Sequence, residues 1–472
     1  MPTQISDGQP LPRRYWAILT IALGIIMAVL DSAIANVALP TIARDLHTDA
    51  AFSIWVVNGY QLAITISLLP LASLGDIVGY RRIYLSGMVL FTVASLACSL
   101  SHTLTQLALA RVLQGFGAAG IMSVNTALIR FIYPHRLLGR GIGINAVVVA
   151  IAAAAGPTIA SGILSVAHWP WLFAVNVPIG VVTLAIGCKA LPKTLRGSHG
   201  FDVAGAALSA CAFGFLIGGI DAGGHGEAGR YVAIELSLAI VFGFLLVRRE
   251  LTRSAPLFPV DLLRIPMFGL SVGTSVCSFA AQMLALVALP FHLQKQFGYT
   301  AVQTGLIITP WPLAIAVAAP IAGRLADRYP AGLLGGIGLV VFATGLVALA
   351  FLPQRPDFQE VAWRMVICGL GFGFFQAPNN RAMIASAPRH RSGGASGMLG
   401  TARLLGQTLG AALVALLFGQ FGEHATIYAL FIAAGFAVSA AAVSSLRLFQ
   451  KTPAPETEKP VSRFASEETL MP

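Results

Sequence analysis

The chain has 472 residues, 56% of them hydrophobic and only 10% charged, with a formal net charge of +11 and a mean hydropathy of +0.79. About a quarter of an ordinary soluble domain is charged, so a soluble globule is excluded. The basic excess lies in short loops between apolar stretches, which points to anionic headgroups and not to nucleic acid. The five cysteines (Cys98, Cys188, Cys211, Cys277, Cys368) are scattered singly without a CxxC, which argues against a zinc site or a disulfide framework.

A membrane-crossing helix needs roughly 20 apolar residues. Fourteen such stretches are predicted, at 16-39, 51-74, 83-101, 104-129, 139-164, 171-191, 201-221, 230-248, 266-290, 300-322, 331-352, 359-385, 392-418 and 425-446. They must be helices, because backbone polar groups in lipid have to be satisfied within the segment. Read with the N-terminus inside, the tails and even-numbered connections carry most of the basic residues, among them Arg13, Arg14, Arg136, Arg140, Lys193, Arg248, Arg249, Arg389 and Arg391. The outer connections carry only Arg44, Arg230, Lys295, Arg355 and Arg364. This asymmetry predicts two cytoplasmic termini and a multi-pass protein of a bacterial-type inner membrane.

The first stretch follows Arg13-Arg14, and Ala33-Ile34-Ala35 resembles a signal-peptidase site. Asp31 interrupts its apolar core, however, and thirteen further stretches follow, so it is expected to be retained. Asp31 lies about 22 Å into that span at 1.5 Å per residue. A carboxylate at such depth is costly and usually faces a cavity, where it can exchange a proton for a substrate; the alternative is a structural Asp bonded to a neighbouring helix.

Span 2 contributes Asn58 and Gln61, and the loop after it carries Asp76, Gly79, Arg81 and Arg82, a candidate gate in which Asp76 accepts from the next helix start and nearby arginines. Arg111, in the outer half of span 4, stays charged and needs an acidic or carbonyl partner. Gln114 follows it. Span 5 holds Asn145, then Ala152 to Gly162, where small residues permit close helix packing and Gly156-Pro157 permits a kink.

Spans 7 and 8 contain few mid-span polar groups besides Glu235 and read as an inserted hairpin, followed by a Pro-containing linker. The second half repeats the first: Gly323-Arg324-Leu325-Ala326-Asp327-Arg328 echoes Leu74 to Arg82, so Asp327 and Arg328 join the gating set. Parallel repeats of this kind are a known transporter plan. Gln282, Gln376, Asn379 and Arg403 complete the candidate cavity residues. Each neutral amide is equally suited to gluing helices together or to holding substrate. The expected division is 1-14 tail, 15-191 first six-helix bundle, 192-250 inserted pair, 251-265 linker, 266-447 second six-helix bundle and 448-472 disordered tail.

No lysine follows a glycine, so no GxxxxGK phosphate loop exists. Gly269 to Gly273 spells GxSxG at the opening of an apolar span, without the strand-turn-helix setting of a nucleophile elbow. The nine histidines form no i, i+4 pair. Neither enzymatic chemistry, nor a metal, nor a cofactor is expected.

Five segments together resemble the major facilitator superfamily, and within it the fourteen-span drug:proton antiporters, over roughly residues 13-447. They are LDSAIANVALP (30-40), GDIVGYRR (75-82), ARVLQGFG (110-117), GPTIASG (156-162) and WPWLFAVNVPIG (169-180). The sequence departs from the family pattern at Ala72 and Ile77 in the loop signature and at Ala152, Ala160 and Ser161 in span 5, where Gly is usual. The resemblance implies the major facilitator fold, with proton coupling through Asp31 and Arg111 and an antiport hinge at Gly156-Pro157. It implies export of hydrophobic or cationic compounds in exchange for protons; uptake of a small polar metabolite or vitamin such as riboflavin is the alternative. Small-molecule substrate, protons and lipid are the expected partners. The chain is expected to act as a monomer, with a periplasmic adaptor left open.

Overall fold

The computed structural model describes residues 8–194, 200–224, 229–253, 256–353, 356–388 and 391–450. Most of the expected C-terminal tail and part of the N-terminal tail lie outside these residues. Among the described residues there is no strand, and thirteen helices are long and apolar enough to cross a membrane. They are α1 (Arg13–Asp45), α2 (Ala50–Val78), α3 (Tyr80–Ser99), α4 (Leu104–Ile132), α5 (Arg140–Val166), α6 (Trp171–Ala190), α7 (Val203–Gly224), α8 (Gly229–Glu250), α9 (Pro266–Gln296), α10 (Ala301–Leu325), α11 (Ala331–Ala350), and, after α12, α13 (Gly394–Phe421) and α14 (Ala425–Phe449). Helix α12 (Phe358–Ser386) is as long as its neighbours but carries Glu360, Arg364 and Arg381, which lower its apolar character.

The packing repeats. In the first half α1 packs on α5 and α6, α4 on α2 and α3, and α3 on α6; in the second, α9 packs on α13 and α14, α12 on α10 and α11, and α11 on α14. The sequence offset that separates Asp76 from Asp327 also relates Gly87 to Gly338 and Phe91 to Phe342. Both glycine pairs allow backbone contact. A Cβ on Gly117 would stand 2.4 Å from the Phe91 nitrogen, and one on Gly371 the same distance from the Phe342 nitrogen. Larger residues would force these helix pairs apart.

The chain enters where Gln9 bonds to the ends of α4 and α6 and leaves where Ser444 bonds to the start of α11. This end of the bundle is termed the terminal end. At the opposite, far end the halves close on each other: Ser161 Oγ donates to the Val302 carbonyl at 2.9 Å, Thr158 and Thr309 hydroxyls meet at 2.9 Å, and Gln294 Nε2 donates to the Val37 carbonyl at 3.2 Å. Along one flank α2 meets α13, with Thr65 and Thr408 hydroxyls 3.1 Å apart.

Helix α7 covers that flank, touching both α2 and α13, while α8 packs principally on α7. Trp55 Nε1 donates to Asp221 at 2.9 Å and Gln420 Nε2 to the Gly223 carbonyl at 2.7 Å. At the terminal end Arg249 donates to Asp202 at 2.7 Å, and the Arg249 guanidinium holds the Asp202 carboxyl below the usual carboxylate range. The pair α7–α8 is therefore hydrogen-bonded to the flank at the far end and held together by its own ion pair at the terminal end.

Candidate functional site

A cavity of about 650 Å³ lies between the halves. From the far-end closure it runs toward the terminal end, bounded by Val147 to Pro157 on α5 and Ile308 to Pro320 on α10. No described residue of α7 or α8 lines it. Its walls are largely aromatic and aliphatic (Tyr60, Phe279, Trp311, Phe372) with a scatter of amides. Tyr60 and Trp311 occupy equivalent places in the two halves. A Cβ on Gly115 would meet the Tyr60 carbonyl oxygen at 2.5 Å, and one on Gly369 the Trp311 oxygen at 2.2 Å.

Behind Tyr60 lies the Asp31–Arg111 ion pair, with side-chain exposures of 1% and 0%. Arg111 Nη1 donates to Asp31 Oδ2, and Arg111 Nε donates to the Val56 carbonyl at 2.8 Å. The other carboxylate oxygen accepts from Gln114 Nε2 and Asn176 Nδ2, both at 2.9 Å. Gln114 also accepts from Arg111 Nη1 at 2.6 Å and donates to Ser95 at 2.9 Å. The guanidinium lies 4.1 Å from the centre of the Tyr60 ring and 5.4 Å from that of Phe173. Two helices besides α1 bond the carboxylate directly, and α2 and α3 complete the cluster through Arg111 and Gln114. Such pairing is what a charge in low dielectric requires, since an isolated ion there costs several kcal/mol. Among the described residues the second half has no such buried pair: the offset relating Gly115 to Gly369 and Gly117 to Gly371 puts Met365 at the place of Arg111.

The residues singled out in the sequence divide between several places. Gln61, Gln282, Gln376 and Arg403 line the cavity. Gln61 also donates to Ser32 at 3.2 Å. Gln114 belongs to the ion-pair cluster. Asn145 accepts from Asn125 at 2.8 Å, tying α5 to α4. Asn379 accepts from Arg447 at 2.7 Å and donates to Ser275 at 2.8 Å, at the terminal end of the second half. Asn58 is fully buried away from the cavity, and neither its side-chain oxygen nor its nitrogen has a partner. Asn58, Gln114, Asn145 and Asn379 thus lie outside the cavity lining; an amide's place in an apolar run gives its depth and not its facing.

Asp76 accepts from the Tyr80 hydroxyl, one turn on. Arg81 turns instead to the Cys188 carbonyl in the last turn of α6, where unpaired carbonyls attract a cation. Gly79 joins α2 to α3 at φ 106°, a backbone region that favours glycine. In the second half Asp327 pairs with Arg381 of α12, and Arg328 is exposed. Gly156 packs against α1, where an added Cβ would lie 2.4 Å from that of Ala33, and Pro157 lines the cavity.

Tyr60, Ser95, Asn176 and Trp311 escaped the sequence reading. Asn176 had a signal, since it is a lone amide in the apolar run WLFAVNVPIG.

Two repeated six-helix units around a central cavity, with a flanking helix pair, define a polytopic membrane transporter. The Major Facilitator Superfamily profile matches residues 21–273 and 270–471, and the chain belongs to that family. It is 57% identical to the uncharacterized transporter YebQ of Escherichia coli (strain K12), over 95% of this chain and 99% of that protein. It is 30% identical to the riboflavin transporter RibZ of Clostridioides difficile (strain 630), over 89% and 93%. It is 32% identical to the multidrug resistance protein Stp of Mycobacterium tuberculosis (strain CDC 1551 / Oshkosh), over 83% and 73%.

Proposed function

We propose that the protein is a proton-coupled antiporter that exports small, largely apolar compounds across the inner membrane, with the terminal end cytoplasmic. One observation carries this reading: the buried Asp31–Arg111 pair, separated from the cavity by the Tyr60 ring. As an ion pair it is neutral overall. Protonation of Asp31 leaves Arg111 uncompensated in low dielectric, and breaking such a pair costs ~3–5 kcal/mol. A conformation that rehydrates the guanidinium is then favoured, so one proton biases which face the cavity opens to. The units 15-191 and 266-447 rock about the cavity, Gly156-Pro157 forms the hinge, and the Asp76 and Asp327 loops latch the terminal end. The far-end closure supports reading this conformation as open toward the cytoplasm.

The test is uphill transport in proteoliposomes. A membrane potential of 100 mV contributes ~2.3 kcal/mol per charge, enough for a concentration ratio of about fiftyfold. A hydrophobic dye should accumulate against its gradient when a proton gradient is imposed, and the Asp31→Asn protein should only equilibrate it. Equal uphill transport by both proteins removes Asp31 from the coupling.

The second reading is uptake of a small polar metabolite. The likeness to RibZ favours riboflavin, for which Gln61, Gln282 and Gln376 offer hydrogen bonds. Riboflavin accumulation in cells with and without the gene separates the two.

A further inference from the structure

Resting on the reading of the cavity as the transport site, we infer that this site selects amphipathic anions, an aromatic body carrying a carboxylate or similar acidic group, and that Arg403 is the residue that binds the negative end. Among the described residues lining the cavity there is no Asp, Glu or Lys, and Arg403 is the one charged side chain. Among the described residues Arg403 has no ion-pair or hydrogen-bond partner, and its Nε is buried. Its guanidinium lies 5.8 Å from the centre of the Phe279 ring. Arg111, Arg364 and Arg447, also within the bundle, are each supplied: Arg111 by Asp31, Arg364 by Glu360 and Arg447 by Asn379 and Ser271.

No carboxylate is among the described residues that line the cavity, and Asp31, behind Tyr60, cannot serve a cation there. Both its oxygens are taken by Arg111, Gln114 and Asn176, and it lies behind Tyr60. Its charge is cancelled by Arg111, so the cavity's uncompensated charge is the single positive one on Arg403. A cation entering would meet like charge without a counterion. An anion would find a planar donor fork suited to two parallel hydrogen bonds, with Phe279, Trp311 and Phe372 to receive an aromatic body. The expected class thereby moves from cationic to anionic substrates.

The experiment uses three probes of one shape: naphthalene-2-carboxylate, naphthalene-2-carboxamide and 2-naphthylmethylammonium. Each is titrated calorimetrically into the full chain in nanodiscs, with empty nanodiscs subtracting partition into lipid. The carboxylate should bind about tenfold more tightly than the amide, the usual effect of one charge-assisted hydrogen-bonded contact, and the ammonium more weakly than either. Arg403→Gln removes an unpaired charge and so should fold normally; in it the carboxylate and the amide should bind within about twofold of each other. Arg403→Lys should retain part of the preference, since it keeps the charge and loses the fork. Equal binding of the three probes to the native protein, no binding of any, or a carboxylate preference that survives Arg403→Gln, overturns the inference. The assay involves no gradient. A protein that prefers the carboxylate but moves nothing against a proton gradient defeats the export reading and leaves the anion site standing. Proton-driven export without that preference does the reverse.

Discussion

The ring of Tyr60 lies 4.1 Å from the Arg111 guanidinium while also lining the central cavity, so one aromatic side chain separates the buried ion pair from the space where substrate would bind. Its hydroxyl donates to the Ala28 carbonyl at 2.9 Å, which fixes the ring on α1. A desolvated cation–π contact is worth ~2 kcal/mol. Tyr60→Phe keeps the ring and should transport within about twofold of the native rate. Tyr60→Leu removes the shield and should make proton flux independent of substrate, read as pH change inside proteoliposomes. If Tyr60→Leu stays tightly coupled, the ring has no insulating role.

The ion pair itself should show strong non-additivity. Asp31→Asn leaves Arg111 buried without a counterion, and Arg111→Gln does the same to Asp31; each single change should cost ~3–5 kcal/mol of stability. The double variant Asp31→Asn/Arg111→Gln should lose less than either single variant. Unfolding of the four purified proteins in detergent, followed at matched conditions, gives the cycle. Additive losses would mean that the two charges do not depend on each other.

The sequence showed that Arg111 needed an acidic partner and that Asp31 lay deep in a span, because a buried charge has few solutions. Gln114 was readable as a third member, three residues beyond Arg111 on one helix face. Which other helices close around them was not readable. Asn176 and Ser95 reach the cluster through tertiary packing, and no spacing along their own helices points to α1. The same limit explains why Asn145 and Asn379 proved to be helix contacts. Span length placed the helices well, since lipid thickness acts on local composition. The isolation of Arg403 is a property of all the helices around it and could not be seen in any one of them.

The two repeated loops should respond differently to the same change. Asp327 and Arg381 are both exposed, at 63% and 55%, so their pair is worth at most ~1 kcal/mol of stability. Asp327→Asn should therefore leave unfolding unchanged while altering the balance of cavity orientations and slowing turnover a few-fold. Asp76→Asn keeps a hydrogen-bond acceptor for Tyr80 and should slow turnover less. Transport rates at matched protein density decide this; native rates in both variants would remove these loops from gating.

The ion pair that ties α8 to the start of α7 has a defined pH dependence. Arg249 holds the Asp202 carboxyl below the usual value of 3.8, so this contact stabilises the structure above that value and is lost only as pH falls through the lower folded value. Between about pH 7 and about pH 5 the contact should be constant. Asp202 also accepts from the Gly205 nitrogen at 3.1 Å, capping α7. Hydrogen exchange in the first turn of α7, corrected for intrinsic rates, should be flat across that range in the native protein and faster at every pH in Asp202→Ala. A native transition inside that range would mean that Arg249 does not lower the Asp202 carboxyl.

The far-end closure depends on Gly305. A Cβ there would stand 2.6 Å from the Pro157 carbonyl oxygen and closer still to Ser161 Oγ. The backbone oxygen cannot move aside without shifting α5, so the added methyl acts as a wedge between the two halves. Overpacking of this kind costs ~1–3 kcal/mol, and the cost falls only on the conformation in which α5 and α10 touch at this point. Gly305→Ala should thus shift the population about fivefold or more toward the state with the far end open, without unfolding either half. Spin labels at Val166 and Leu306, one on each side of the closure, would report this as growth of a longer distance in pulsed electron resonance. Gly273 serves as the control, because nothing lies within 4 Å of the place its Cβ would take. Gly273→Ala should leave the distance distribution unchanged. If Gly305→Ala leaves it unchanged as well, the contact between α5 and α10 does not hold the far end shut.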